Sequence, residues 1–141
     1  MPILSGIDHC HINVNNLSNA VTWYEKVLGF KVVEELVFWD ETGKGPLTLQ
    51  DQNTTTRLAL FEGQVRSKGI AFGATGEQFI AWLAHFKSMD IKTVLADHGV
   101  TFSIYFKDES DNSHEITSHD YEHIKMFYPS VEQGSHSAKK S

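Results

Sequence analysis

The feature that most constrains this chain is an order of elements that runs through it twice. Gly6 to Val14, GIDHCHINV, alternates, with Cys10, Ile12 and Val14 on one face and His9, His11 and Asn13 on the other, as period-two side chains must in a strand. Asn16 is placed to cap a helix and Gly29 to stop it, with Leu17, Ala20, Val21, Tyr24, Val27 and Leu28 as its apolar stripe. Phe30 to Trp39, rich in Val, Phe and Trp, reads as a strand. After the turn-rich Asp40 to Pro46 come two more strands, Pro46 to Gln50 and Thr56 to Glu62. The order to this point is β-α-β-β-β.

A polar linker, residues 63–68, precedes the second pass. Gly69 to Ala74 reads as a strand. Thr75 with Gln78 three residues on is a capping-box signature, and Phe79, Ile80, Leu83, Phe86 and Met89 form the stripe of the helix it opens. Ile91 to Leu95 is short and extended, and Val100 to Lys107 and Ser113 to Ser118 complete a second β-α-β-β-β. Asp120 to Tyr128 has the makings of a short helix ended by Pro129, and residues 129–141 have the composition of a flexible tail. The expected fold class is α+β, one domain over residues 1–128, with modules at 6–62 and 69–118 and a C-terminal helix at 120–128.

Composition excludes more than it identifies. With 141 residues the chain is long enough to bury a core, and its net charge of −6 leaves no basic face for nucleic acid. No run of about 18 apolar residues offers a membrane span, and MPILSG lacks the features of a signal peptide. A single cysteine, Cys10, excludes an internal disulfide and fits a reducing cytoplasm; facing the core, it reads as a small apolar residue rather than a nucleophile. The expectation is a cytoplasmic protein with no nucleic-acid or membrane partner.

The stretch from Ser103 to His119, SIYFKDESDNSHEITSH, is the most informative chemically. Asp108 to Asn112 is a turn cluster, and beyond it Glu115, Thr117 and His119 share one face with Ile116 opposite. A carboxylate on the inner face of a strand needs a partner to be tolerated, which makes Glu115 a candidate for function.

At this point the letters and the element order coincide. IDHCHINVNNLSNAVTWYEKVLGF resembles the opening module of the vicinal oxygen chelate superfamily, which includes glyoxalase I, extradiol dioxygenases, fosfomycin-resistance and bleomycin-binding proteins. SIYFKDESDNSHEITSHDY is similar to its closing hairpin, and KGIAFGATGEQF to the start of its second module; the resemblance covers roughly residues 6–121. It implies two modules whose strands curl into a cup of mixed sheet with helices outside, and commonly a homodimer, with the cup formed within one chain or between swapped modules.

In metal-using members the ligands come from strands facing the cup. The resemblance places His9 as first ligand and Glu115 as last, with Glu115 also a candidate catalytic base. Gly69 stands where the second module usually brings a His, and Ala59 lies near a position that often carries a His or Glu. Two protein ligands are fewer than the roughly three a catalytic centre needs. His11, on the face of His9, is a possible substitute, although residues two apart on a strand lie about 7 Å from each other. A divalent metal (Mn, Fe, Zn, Ni or Mg) is therefore not the favoured expectation. The plain alternative for His9 and Glu115 is a buried hydrogen-bonded pair.

Alternation gives the remaining cup-facing residues as Asn13, Arg57, Ala59, Phe61, Gly69, Ala71, Ser103, Tyr105, Thr117 and His119. Of these, Asn13, Arg57, Phe61, Ser103, Tyr105, Thr117 and His119 are the expected ligand-binding set. Arg57 beside His9 and His11 suits a ligand with a carboxylate, phosphonate or enolate oxygen, unless Arg57 reaches the rim and pairs with a surface acid. The favoured reading is a small-molecule binding protein with a polar cup and an incomplete metal site. The alternative is a metal-dependent lyase, transferase or dioxygenase using His9 and Glu115.

Overall fold

The computed structural model describes residues 1–133, so the expected tail lies outside the described residues beyond Gln133. The chain divides into two compact units, Met1–Ser67 with Asp108–Asp111, and Lys68–Lys107 with the residues from Asn112 on. Each holds one four-stranded mixed sheet. The fold is α+β, with two β-α-β-β-β passes and a closing helix.

In the first unit β1 (Cys10–Val14) pairs in parallel with β4 (Arg57–Glu62). β4 runs antiparallel to β3 (Leu47–Gln50), and β3 to β2 (Lys31–Val32). One face of this sheet is core: Ile12, Val14, Leu49, Leu58 and Leu60 are fully buried under Leu17, Ala20 and Tyr24 of the helical segment. That segment begins as expected, with Asn16 accepting from the Asn19 amide, and runs as α1 (Leu17–Trp23). It closes in a π-helical turn, Tyr24–Leu28, with Gly29 at φ 76°, a conformation in which a glycine carries no Cβ penalty.

The expected strand from Phe30 to Trp39 is not one. Pairing stops at Val32, and Glu34–Trp39 coils into a 3-10 helix that leans on β3. β-forming letters favour a strand only where a half-buried surface receives them, and four-residue β3 receives only the start of the segment, Lys31, Val32 and the Val33 amide, which donates to the Thr48 carbonyl at 2.9 Å. Val37, Phe38 and Trp39 are left exposed. The opening strand is also shorter than expected, so that Gly6–His9 precede it.

In the second unit β5 (Ala71–Gly73) pairs in parallel with β8 (Ser113–Ser118). β8 runs antiparallel to β7 (Phe102–Lys107), which pairs with β6 (Val94–Asp97), three residues later than Ile91 to Leu95. Thr75 caps α2 (Gly76–Ser88) by accepting from Gln78, and α2 packs on β8 and on α3 (Tyr121–Phe127). Phe79 and Phe86 are buried from α2, but Met89 falls past the helix end and is exposed, so it is not part of the stripe. Phe102, Ile104, Phe106, Ile116 and Ile124 complete this core. Asp97 is buried with them, satisfied by the Tyr121 hydroxyl (3.0 Å), Lys125 Nζ (2.9 Å) and the Gly99 amide (2.8 Å).

Candidate functional site

The face of the first sheet opposite its core carries the opening histidines. β1 alternates as read: Ile12 and Val14 are buried, while His11 is exposed and its Cα partner on β4 is Ala59. His9 stands just before the strand, and its Nε2 lies 3.0 Å from His11 Nε2. Nδ1 of His9 lies 2.8 Å from Asp8 Oδ2. With the Nδ1 hydrogen given to that carboxylate, a neutral His9 presents a lone pair at Nε2, and His11 donates to it. The hydrogen bond from His9 holds the Asp8 carboxyl below its usual pKa, helped by the positive charge of Arg57. Phe61, opposite Asn13, meets the His11 ring edge-on at 5.1 Å.

Behind Ala59 on the same face is a residue that the sequence reading passed over. Thr48 of β3 is the Cα partner of Ala59, so His11, Ala59 and Thr48 form one row across three strands. Thr48 is 3% exposed, and its Oγ1 has no hydrogen-bond partner among the described residues. The signal was the alternation Leu47-Thr48-Leu49-Gln50, which puts Thr48 and Gln50 opposite the two leucines.

The second sheet presents its own polar face. Tyr105 is the Cα partner of Glu115 and Ser103 of Thr117, on the side away from Ile104 and Ile116. Thr117 Oγ1 donates to Glu115 Oε2 at 2.9 Å and is 3.1 Å from Ser103 Oγ. The Tyr105 hydroxyl is 3.1 Å from Nε2 of His98, a second residue not anticipated. Glu115, Thr117, Ser103 and Tyr105 thus share one face of this sheet. His119 is exposed beyond the end of β8, in a recess with Thr75, Glu77 and His123.

Among the described residues no group of three or more His, Cys, Asp or Glu side chains is placed to hold an ion. Ala59 offers a methyl where a ligand is wanted. Gly69 has φ 110°, and a Cβ there would overlap the carbonyl oxygen of Ser113, so this backbone has no room for a side chain. The donor set does not fit a three-ligand centre of the usual kind.

The sequence profile of the Glyoxalase/Bleomycin resistance protein/Dioxygenase superfamily matches residues 6–116. The chain belongs to this superfamily. Among solved structures it is similar to lactoylglutathione lyase from Agrobacterium tumefaciens, with TM-score 0.69 and 19% identity over 83% of this chain and 96% of that one. The fosfomycin resistance protein FosX from Listeria monocytogenes gives TM-score 0.65 and 16% identity over 84% and 93%. A mutant of FosX from Listeria monocytogenes complexed with Mn(II) and 1S,2S-dihydroxypropylphosphonic acid gives 0.65 and 18% over 86% and 97%. At these identities the likeness is one of fold. No curated protein sequence matches. Among the described residues no helix is long and apolar enough to cross a membrane.

Proposed function

We propose that this superfamily member is a small-molecule binding protein that takes up a ligand bearing a carboxylate or similar oxyanion on the polar faces of its sheets. The observation that carries this reading is the His9–His11 contact at 3.0 Å, exposed, on the face that also bears Arg57. Arg57 can grip both oxygens of an oxyanion, and the Nε2 hydrogen that His11 gives to His9 is available to the ligand when it turns from that partner. Asn13 and Phe61 line the same face, and Ser103, Tyr105, Glu115 and Thr117 are the corresponding polar set of the second unit. The relatives' ligands support the class: one FosX structure holds a phosphonic acid.

The test is an NMR titration with butanoate of protein labelled at its histidine and arginine side chains. The reading expects saturable shifts at His9, His11 and Arg57 that disappear in His11→Ala and Arg57→Ala. Wild-type signals that do not move rule it out.

One observation favours a second reading. Two nitrogens 3.0 Å apart match two neighbouring ligands at about 2.1 Å from one ion, and a carboxylate on the far nitrogen is the usual support of a metal-bound histidine. In this alternative, His9 and His11 are metal ligands of a metal-dependent lyase, transferase or dioxygenase. Elemental analysis of tag-free protein separates the two: near-stoichiometric metal lost in His9→Ala supports the enzyme, and metal-free protein supports the binder. A homodimer is part of the proposal, and sedimentation equilibrium tests it.

A further inference from the structure

We infer that Thr48 is a ligand-contacting residue, whose hydroxyl receives a second polar group of the molecule held at His9, His11 and Arg57. The inference rests on the binding reading above and adds a specificity-determining position to it. A buried hydroxyl without a partner is costly, and native interiors rarely leave one unless something else satisfies it. Thr48 Oγ1 is in that position at 3% exposure, while every other hydroxyl on the polar faces described above has a partner. Its register supplies the direction. Thr48 and His11 flank Ala59 in one row, and with Thr48 and Ala59 each 3% exposed the ligand reaches the hydroxyl by displacing the groups that cover them. Their α-carbons are two strand spacings apart, about 10 Å. A short aliphatic chain with an oxyanion at one end and a hydroxyl or carbonyl at the other has the length to span that distance. A molecule with the oxyanion alone leaves Thr48 unserved.

The test compares 4-hydroxybutanoate with butanoate on the wild-type protein and on Thr48→Val, which keeps the shape and removes the hydroxyl. The wild type is expected to bind the hydroxylated acid about tenfold more tightly, the worth of one hydrogen bond. In Thr48→Val that preference is expected to vanish, with butanoate binding unchanged. The thermal midpoint of unliganded Thr48→Val is expected to equal or exceed that of the wild type. Equal binding of both acids by the wild type, or a preference that survives in the variant, overturns the role of Thr48 and leaves the oxyanion reading standing. A lowered midpoint also overturns it, because it shows the hydroxyl already satisfied within the protein. If neither acid binds the wild type, the oxyanion reading falls and this inference falls with it.

Discussion

Thr117 Oγ1 donates to Glu115 Oε2 at 2.9 Å, so the acid that draws attention in the sequence is held by a neighbour two positions along its own strand. Ser103, across the β7–β8 pair, meets the same hydroxyl at 3.1 Å. The carboxylate is therefore oriented by a short chain of hydroxyls. Thr117→Val removes the middle link. It is expected to cost about 1 kcal/mol in urea denaturation and to let Glu115 occupy more than one rotamer in a crystal structure. A single unchanged rotamer with unchanged stability contradicts this role.

The Tyr24 hydroxyl donates to Asp108 Oδ2 at 2.6 Å, with the ring fully buried. Asp108 begins the turn between β7 and β8, yet it packs with the first unit. Burial, reinforced by the charge of Asp108, raises the Tyr24 pKa far above its ordinary value, so the phenol stays a donor at any physiological pH. Tyr24→Phe keeps the packing and strips a donor from a buried carboxylate. The expected loss is about 1–3 kcal/mol in chemical denaturation.

Asp97 gives a pH dependence of known sign. Its burial alone would raise its pKa, but the hydrogen bonds from Lys125, Gly99 and Tyr121 and the charge of Lys125 outweigh that, and the net shift is downward. Lys125 shifts upward, chiefly through its hydrogen bond to Asp97. A depressed acid contributes stability that is present above its unfolded pKa and lost as pH falls through the folded one. A raised base contributes stability that is present below its unfolded pKa and lost as pH rises through the folded one. The pair therefore contributes steadily between the unfolded values of 3.8 and 10.5 and fails outside them. Asp97→Asn is expected to destabilise at pH 7, with the difference from wild type shrinking below pH 4 in thermal scans.

Glu109 carries the opposite sign. Burial, with the charge of Asp108 adding, raises its pKa against the opposing Ser110 hydrogen bond and Arg66 charge, and its Oε1 is buried without a partner among the described residues. Stability from a raised acid is complete below the unfolded pKa and lost as pH climbs through the folded one. Glu109→Gln, which cannot ionise, is expected to raise the midpoint at pH 7 by an amount worth up to about 1 kcal/mol and to change little at pH 4. A midpoint lowered at pH 7 refutes this.

The elements that could be read from the letters are those where local chemistry and burial agree. The caps at Asn16 and Thr75, the stop at Gly29 and the parity of β1, β7 and β8 each depend on a residue and its near neighbours. Phe30 to Trp39 misled because its β-forming letters needed a longer partner strand than β3 supplies. Thr48 was legible in the alternation of LTLQ, but nothing local marks its hydroxyl as unpartnered; that depends on what β4 places beside it. His98 belongs to the same class, since it follows β6, whose Val94 is the partner of Tyr105, and only the reach of the two side chains along the sheet joins them. The chemistry at His9 and His11 was half legible. Their shared face follows from period two, but the 3.0 Å approach closes a gap that strand rise alone sets at about 7 Å.

The backbone at Gly69 also bears on ancestry and engineering. Because the carbonyl of Ser113 occupies the space that a first side-chain atom would need, a codon change to histidine there meets a collision before it can donate a nitrogen. A histidine ligand at position 69 therefore requires the approach to β8 to move first, and at this position the order of the steps is set by the main chain.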